Sequence, residues 1–464
     1  MKSKLTALLC FFTLLQATAQ TGYKIELSVP EQKEQIVYFA SYWDGKPYVK
    51  DSVRLSGKGV GTISADEDLP DGQYLIYMKP DIVLDLLLSG DKKDIKINIP
   101  HNLQKCTIEG SNDTRLLWQY AADLQKDKED LDQLKQLLED SALSDNKRKE
   151  LSLKYNRLFD KIISHTYSDI DTHKGTWFAT YLQGLQSVQP PHIPPKSREE
   201  AIANEVYLKD HYFDNLSLTD PRFWETSFFS LLIDDYFNNI IRHDPDSLAN
   251  AASRLVAMTQ GNELCFNKML MRLFNNAAHS KVMGMENTWA KLAEDYIFEK
   301  DIAWIDSTQR ENIQAEYAKI QYNRIGMLAH DLTLDLLDGG QTSIYGVDAN
   351  YMVLYFYDPT CGHCSIEAPL LHDEFYKKYK STGVEVMAIN VNHDKTIWED
   401  FVERKKLTDW INCADVDYKS QYWMFYDVSG TPMLYLLDKE RKIIAKKITE
   451  KQLIDIMENI YSGN

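Results

Sequence analysis

The feature that most constrains the fold is an unbroken apolar run, Met352–Tyr357 ("MVLYFY"), which is followed closely by two cysteines. A strand with one face in water alternates apolar and polar residues, whereas a continuous apolar run is typical of a strand that is buried on both faces. Such a strand needs packed layers on both sides. The run therefore predicts a layered α/β arrangement around this strand.

The rest of the last third of the chain supports that prediction. "VEVMAINVN" has the composition of a second strand, and "TIWEDFVERKKL" has that of a helix. "MLYLLD" and "KIIAKKI" are typical of a hairpin, and "EKQLIDIMENIYS" is typical of a closing helix. The order strand, helix, strand, helix, strand, strand, helix predicts a small α/β domain over residues 324–464.

The first two thirds have a different character, and a chain of 464 residues is too long for one compact core. Residues 20–110 carry short runs of β-branched and aromatic residues between Gly and Asp clusters, which predict an antiparallel β-sandwich. Residues 111–323 have apolar positions at helical spacing, with Ser144 as a helix cap, and predict an all-α region. The expected fold is multidomain, with a β-sandwich, a helical region and a C-terminal α/β domain.

The first residues have the pattern of a secretory signal peptide over residues 1–19. "MKSK" is basic, "LTALLCFFTLL" is apolar, and "ATA" supplies the small residues that signal peptidase requires. We expect cleavage after Ala19, export and an oxidising compartment, with an uncleaved anchor as the alternative.

Charge and cysteine content narrow the function further. The formal net charge of −17 disfavours binding to nucleic acid, because a polyanion repels phosphate backbones. Of the six cysteines, Cys10 would leave with the signal peptide. An odd number then remains, which argues against a small disulfide-stapled fold: Cys106, Cys265, Cys361, Cys364 and Cys413.

The close pair, Cys361 and Cys364, lies where the buried strand gives way to a helix. Unpaired N–H groups and the helix dipole favour an anion at a helix N-terminus, so the pKa of Cys361 should be low. Cys364 falls in the first turn, where it can reach Cys361. Cys361 would therefore attack a disulfide, and Cys364 would resolve the mixed disulfide.

Other chemistries fit this motif less well. A structural zinc site needs a second C-x-x-C or a histidine pair, and none follows, so no metal is expected. Haem attachment needs His directly after the second cysteine, where Ser365 stands. An inert structural disulfide between Cys361 and Cys364 stays open as an alternative.

Glu367 is the second informative residue near the pair. It follows Cys364 by three positions, one helical turn, so its carboxylate can point toward the same site. A carboxylate in a half-buried cleft is suited to general acid/base work. The alternative is a solvated residue on the outer face of the helix.

Three separated elements agree in order and spacing with a known family: "LYFY" before "CGHC", "EAP" after it, and "GTP" at Gly430–Pro432. Residues 324–464 resemble the thioredoxin superfamily, specifically the periplasmic TlpA/ResA-type thiol-disulfide oxidoreductases. The resemblance implies a thioredoxin-like fold and a cis Thr431–Pro432 bond facing the cysteines. Thr431 and Pro432 would then bind an extended substrate segment.

The resemblance has further implications for the reaction and its setting. It implies that Glu367 tunes the acid–base behaviour of the pair, since the acid of thioredoxins proper is replaced here by Tyr355. It implies no cofactor, disulfide-containing protein substrates, a membrane thiol electron donor, and a location in the periplasm or cell envelope. The family role points to reduction of disulfides.

The dipeptide between the cysteines departs from that pattern. Gly362-His363 is the pair found in protein disulfide isomerases, and a cationic His363 would stabilise the thiolate and make the pair more oxidising. Reduction, oxidation and isomerisation therefore all stay open at this point.

The front of the chain resembles the N-terminal β plus helical extensions of Bacteroidetes envelope proteins that carry TlpA-type domains. This resemblance favours a recruitment or docking role for residues 20–323. Two other functions are kept as alternatives: a peroxidase of the peroxiredoxin (AhpC/TSA) type, and a non-catalytic binding or scaffold protein with an inert thioredoxin-like domain.

Overall fold

The computed structural model describes residues 22–79, 82–90 and 93–462. The predicted signal peptide, residues 1–19, lies outside the described residues. The chain divides into two compact units, Met1–Tyr236 and Phe237–Asn464. This division falls within the helical region, and the predicted domain limits 20–110, 111–323 and 324–464 stay a prediction.

The first unit begins with a β-sandwich, as predicted. Its two four-stranded sheets have the orders β4-β1-β7-β8 and β3-β2-β5-β6. Apolar side chains from both sheets form one core that includes Ile25, Phe39, Ile76 and Ile97, each at most 2% exposed. The strands are β1 Tyr23–Ser28, β2 Ile36–Trp43, β3 Lys46–Arg54, β4 Val60–Ala65, β5 Gly72–Met78, β6 Ile82–Leu88, β7 Lys93–Asn98 and β8 Thr107–Glu109.

One pairing corrects the expectation of a purely antiparallel sandwich. Strands β1 and β7 pair in parallel, with Ile25 opposite Ile95. The chain between them passes through the second sheet and returns in its original direction. Only such a long crossover can place two parallel strands side by side.

Helices follow the sandwich in the first unit: α1 Asn112–Leu138, α2 Asp145–Thr172, α3 Trp177–Gly184, α4 Arg198–His211 and α5 Phe229–Asp235. The predicted cap at Ser144 is confirmed, because its side chain accepts a hydrogen bond from the Lys147 N–H. Helix α1 is tied to the sandwich, since the Ser111 hydroxyl donates to the Leu87 carbonyl at 2.8 Å.

The second unit opens with four more helices: α6 Pro245–Met258, α7 Glu263–His279, α8 Met285–Leu292 and α9 Ser307–Ile320. Across the described part of the chain, no helix combines the length and the apolarity needed to span a membrane.

The rest of the second unit is an α/β domain around one seven-stranded sheet, of order β10-β9-β13-β12-β11-β14-β15. Its strands are β9 Thr333–Leu336, β10 Gln341–Ser343, β11 Tyr351–Tyr357, β12 Val384–Asn390, β13 Ile411–Ala414, β14 Met433–Leu437 and β15 Ile443–Lys446. Its helices are α10 Gly362–Leu370, α11 Lys377–Tyr379, α12 Lys395–Lys405, α13 Tyr422–Phe425 and α14 Glu450–Ser462.

The apolar run Met352–Tyr357 lies in strand β11, in the interior of this sheet. It pairs in parallel with β12 and antiparallel with β14. Val353 and Tyr355 belong to the core on one face, whereas Met352 and Leu354 belong to the core on the other. All four side chains are fully buried, so the prediction of a strand covered on both faces is confirmed.

Candidate active site

The cysteine pair lies in the turn from β11 into α10. Cys361 has extended backbone angles and occupies the N-cap position of α10. Its N–H donates to the Asp358 carbonyl at 3.0 Å, and its own carbonyl accepts from the Ser365 N–H at 3.1 Å. The first N–H groups of a helix have no partner within the helix, so the Cys361 sulfur faces donors that favour an anion.

The Asp358 side chain holds the turn in shape. Its Oδ1 accepts from the Thr360 N–H at 2.8 Å, from the Thr360 hydroxyl at 2.7 Å and from Asn392 Nδ2 at 3.2 Å. Burial opposes ionisation of this carboxyl, but the donors from Thr360 and Asn392 outweigh it and lower its pKa. Asp358 therefore joins the active-site turn to the segment that follows β12.

Cys361 is the member of the pair whose pKa is lowered. Its thiol is partly buried, and Sγ donates to the Thr431 carbonyl at 3.3 Å. This carbonyl belongs to the Thr431–Pro432 peptide bond, which is cis. Burial raises the pKa of Cys361, but hydrogen bonds from the Cys364 backbone and thiol, the Thr431 side chain and the His363 backbone outweigh burial, and the pKa is lowered. A lower pKa gives more thiolate at neutral pH.

Cys364 has the opposite character. It is fully buried against the core beside β11, and its carbonyl accepts from the Tyr355 hydroxyl at 3.4 Å. Burial, with a smaller contribution from the neighbouring Cys361 sulfur, raises the pKa of Cys364 to about 12. Cys364 is thus a protonated thiol that needs a proton acceptor before it can attack.

Glu367 lies on α10 one turn beyond Cys364 and is about half-buried. Burial raises the pKa of its carboxyl, and Glu450 adds to this effect, while a hydrogen bond from the Glu450 backbone and the His363 side chain act against it. Burial is the main cause that raises the pKa of Tyr355, and the charges of Cys364 and Glu367 raise it as well. The three groups therefore lie close enough to influence one another.

Helix α10 is supported from α12 at a point where its own hydrogen bonding fails. Pro369 stands inside α10 and has no N–H, so the Ser365 carbonyl, four residues earlier, loses its helical partner. The Lys405 ammonium supplies a replacement and donates to that carbonyl at 2.7 Å. Beyond Pro369, turns of the π type over Leu371–Tyr376 continue the helix.

The residues predicted from the sequence lie together here. The Cys361 thiol contacts both Cys364 and Thr431. Glu367 is on the same helix as Cys364, and Pro432 follows Thr431 and is partly exposed. Gly362 and His363 are exposed in the first turn. Their functional roles stay predictions. Within residues 22–79, 82–90 and 93–462, no three His, Cys, Asp or Glu side chains group as metal ligands would.

Three residues of the site were missed by sequence reasoning: Asp358, Asn392 and Lys405. Pro369 was a signal for the third, because a proline within a helix frees the carbonyl four residues before it. Which side chain would fill that place depends on how α12 packs. Asn392 follows β12, and only the parallel pairing of β11 and β12 brings it to Asp358.

Fold and site together define a thioredoxin-like redox domain with a dithiol pair at a helix N-terminus. A thioredoxin-like family model, Thioredoxin_8, matches residues 348–443. The thiol-disulfide oxidoreductase ResA of Geobacillus thermodenitrificans is 31% identical over 139 residues, which cover 29% of this chain and 78% of that protein. ResA of Bacillus subtilis is 28% identical over 142 residues, which cover 30% of this chain and 76% of that protein.

A thioredoxin-like protein from Bacteroides caccae is similar in structure over 59% of this chain and 97% of its own, with 20% identity and a TM-score of 0.42. The sequence relationship to ResA decides the family. The chain belongs to the TlpA/ResA-type thiol-disulfide oxidoreductases of the thioredoxin superfamily, and it is an oxidoreductase. The predicted family, fold class and enzyme class are thereby confirmed.

Proposed function

We propose that this oxidoreductase reduces or exchanges disulfides in protein substrates of the cell envelope, with Cys361 as nucleophile and Cys364 as resolving thiol. One observation carries the proposal: two cysteines three positions apart have pKa values shifted in opposite directions. Such a pair combines a thiolate that can attack a disulfide with a protonated thiol that can resolve the mixed disulfide afterwards.

The first step is attack by the Cys361 thiolate on one sulfur of a substrate disulfide. The Cys361–substrate S–S bond forms, the substrate S–S bond breaks, and the released substrate thiolate takes up a proton from solvent. Thr431 and Pro432 flank the Cys361 sulfur, so we propose that the backbone of Thr431 aligns an extended substrate segment there.

The second step releases the substrate. Cys364 gives its proton to Glu367, whose carboxylate is a better proton acceptor because its pKa is raised, and attacks the Cys361 sulfur. The Cys361–Cys364 disulfide forms and the second substrate thiolate leaves. Two electrons have then passed from the pair to the substrate, and a thiol donor must return two electrons and one proton to restore the Cys361 thiolate and the Cys364 thiol.

The setting of this reaction is part of the proposal. We infer export through residues 1–19, a location in the periplasm or envelope, and electron supply from a membrane thiol protein. Gly362 and His363 would tune the potential of the pair. The sandwich and helices ahead of the redox domain would recruit or dock substrates.

The test combines an activity assay with a redox titration. Reduced protein should reduce the disulfides of insulin, and a Cys361→Ser variant should not. The pair should equilibrate with glutathione: a midpoint near about −270 mV assigns reduction, and one near about −120 to −180 mV assigns oxidation or isomerisation.

Two results would overturn the proposal. One is a pair that neither reduces insulin nor equilibrates with glutathione, which would make the redox domain a non-catalytic module. The other is rapid peroxide consumption that depends on Cys361, with no insulin reduction, which would make the chain a peroxidase.

A further inference from the structure

Large apolar side chains are exposed on the loop between β13 and β14. Four residues of this loop leave about half of their surface in solvent: Val416 at 50%, Tyr418 at 55%, Trp423 at 48% and Met424 at 51%. Trp423 and Met424 lie in the short helix α13 within this loop. Single exposed apolar residues are common, but several on one connecting segment are characteristic of a binding surface.

Ring contacts hold part of this loop in a fixed arrangement. The His393 and Tyr418 rings lie 4.2 Å apart between centroids, and Tyr418 meets Trp423 edge to face at 6.0 Å. We call these three residues the aromatic shelf. Tyr422 joins the shelf to the core, because its ring contacts Trp423 at 5.3 Å and Phe356 of β11 at 5.6 Å.

The loop backbone is also fixed in advance. The buried Asp415 carboxylate accepts from the Lys419 N–H at 2.8 Å and from the Ser420 hydroxyl at 2.7 Å. Tyr418 and Gln421 adopt positive φ angles of 55° and 50°, which cost energy for residues other than glycine. Such backbone angles persist only where surrounding bonds enforce them, and they occur often at functional sites.

Both ends of the shelf are linked to the nucleophile. His393 follows Asn392, whose side chain donates to Asp358 in the active-site turn. The loop that carries Tyr418 and Trp423 runs on to Thr431, whose carbonyl contacts the Cys361 sulfur. The chain on either side of the shelf therefore leads directly to residues that contact the active-site turn or the Cys361 sulfur.

We propose that the aromatic shelf binds an extended, unfolded segment of the substrate protein through an apolar or aromatic side chain close in sequence to the cysteine under attack. This inference rests on the proposed function. Aromatic faces contact aliphatic and aromatic groups well, and fixed rings lose little entropy on binding. Cys361 is partly buried beside Thr431, so an extended segment reaches its sulfur more readily than a disulfide within a folded surface.

The test compares kcat/KM values for disulfide peptides that carry Phe or only Gly and Ser beside the cysteine, with glutathione disulfide as the reference substrate. A Tyr418→Ala, Trp423→Ala double variant is compared with the wild type. We expect the ratio of kcat/KM for the Phe peptide to that for glutathione disulfide to fall about tenfold, roughly 1.4 kcal/mol. The ratio for the Gly and Ser peptide should fall by less than about twofold.

Tyr461→Ala is the matched control. Tyr461 is also an exposed aromatic residue, 47% accessible, and its ring contacts Tyr351 at the start of β11, the end opposite to the cysteines. Its ratio should equal that of the wild type. Activity on glutathione disulfide also reports that each variant is folded.

Other results overturn the inference. If the ratio of the kcat/KM values is equal in the wild type and the double variant, the shelf does not take part in substrate recognition. The proposed function is not affected by that result. A change from dimer to monomer in the double variant, seen by light scattering, would make the shelf a contact between copies. Failure of the wild type to reduce any peptide or insulin would overturn the proposed function itself.

Discussion

Two cysteine-bearing regions of the α/β domain differ in their position relative to the sheet, in burial and in the direction of the cysteine pKa shift. Cys361 stands at the end of β11, partly exposed, with its sulfur surrounded by donors, and its pKa is lowered. Cys413 stands inside β13, fully buried, with its sulfur 3.6 Å from the Ala388 carbonyl, and burial raises its pKa. The comparison teaches that position at a helix N-terminus, and not the presence of a thiol, lowers the pKa of a cysteine, as the proposed role of Cys361 requires.

The largest expected effect comes from substituting each of these two cysteines separately. Cys361→Ser should lower the rate of insulin reduction by about a thousandfold or more. Among the described cysteines only Cys106 is also partly exposed, and its pKa is raised to about 11 by burial, so it is a poor replacement. Cys413→Ala should leave that rate within about twofold and lower the free energy of unfolding by about 1 kcal/mol through lost packing. Equal losses of activity in both variants would contradict the comparison.

Cys364→Ser gives the second largest effect. Cys361 can still attack, but the mixed disulfide has no resolving thiol, so covalent complexes with substrates should accumulate. Non-reducing electrophoresis and mass spectrometry of envelope extracts measure them. The double variant Cys361→Ser, Cys364→Ser is the control, and complexes that persist in it would not pass through Cys361.

Glu367→Gln should slow resolution of the mixed disulfide by about a hundredfold in stopped-flow measurements, while initial attack by Cys361 changes little. The same variant tests the raised pKa. Because folded Glu367 holds its proton to higher pH than the unfolded chain, stability from this group falls as pH rises between the two pKa values. Glu367→Gln should therefore raise Tm at neutral pH and leave Tm nearly unchanged in acid.

The smallest effect concerns the support of α10. Lys405→Met removes the ammonium that replaces the missing N–H of Pro369, and we expect a loss of about 1–2 kcal/mol in unfolding free energy. Lys395→Met is a suitable control, because that side chain is exposed and pairs with Glu399 only at 3.7 Å. An equal effect of the two substitutions on unfolding by urea would show that the Ser365 carbonyl needs no partner.

The sequence was sufficient for features that depend on local pattern. The run at Met352–Tyr357 predicted a strand buried on both faces, and the place of Cys361 at the following helix was also predicted. Both depend on residues adjacent in the chain. The expected strands and helices of this domain are likewise present from β11 to α14, with β13 and α13 as additions between α12 and β14.

Features that depend on distant residues were not predicted. Strands β9, β10 and β13 are only three or four residues long, too short for a clear periodicity. The parallel pairing of β1 with β7 needs a crossover through another sheet, which no local pattern encodes. The contact of Asn392 with Asp358 and that of Lys405 with Ser365 arise only after packing.

The central claim is that the two cysteines of the pair have pKa values shifted in opposite directions. The most direct test labels the reduced protein with iodoacetamide at a series of pH values and measures alkylation of each cysteine by peptide mass spectrometry. We predict that Cys361 reacts with a midpoint below that of an ordinary thiol, that Cys364 stays unreactive until the pH approaches about 12, and that Cys413 does not react in the folded protein. Equal midpoints for Cys361 and Cys364, or faster labelling of Cys413 than of Cys361, would contradict the account.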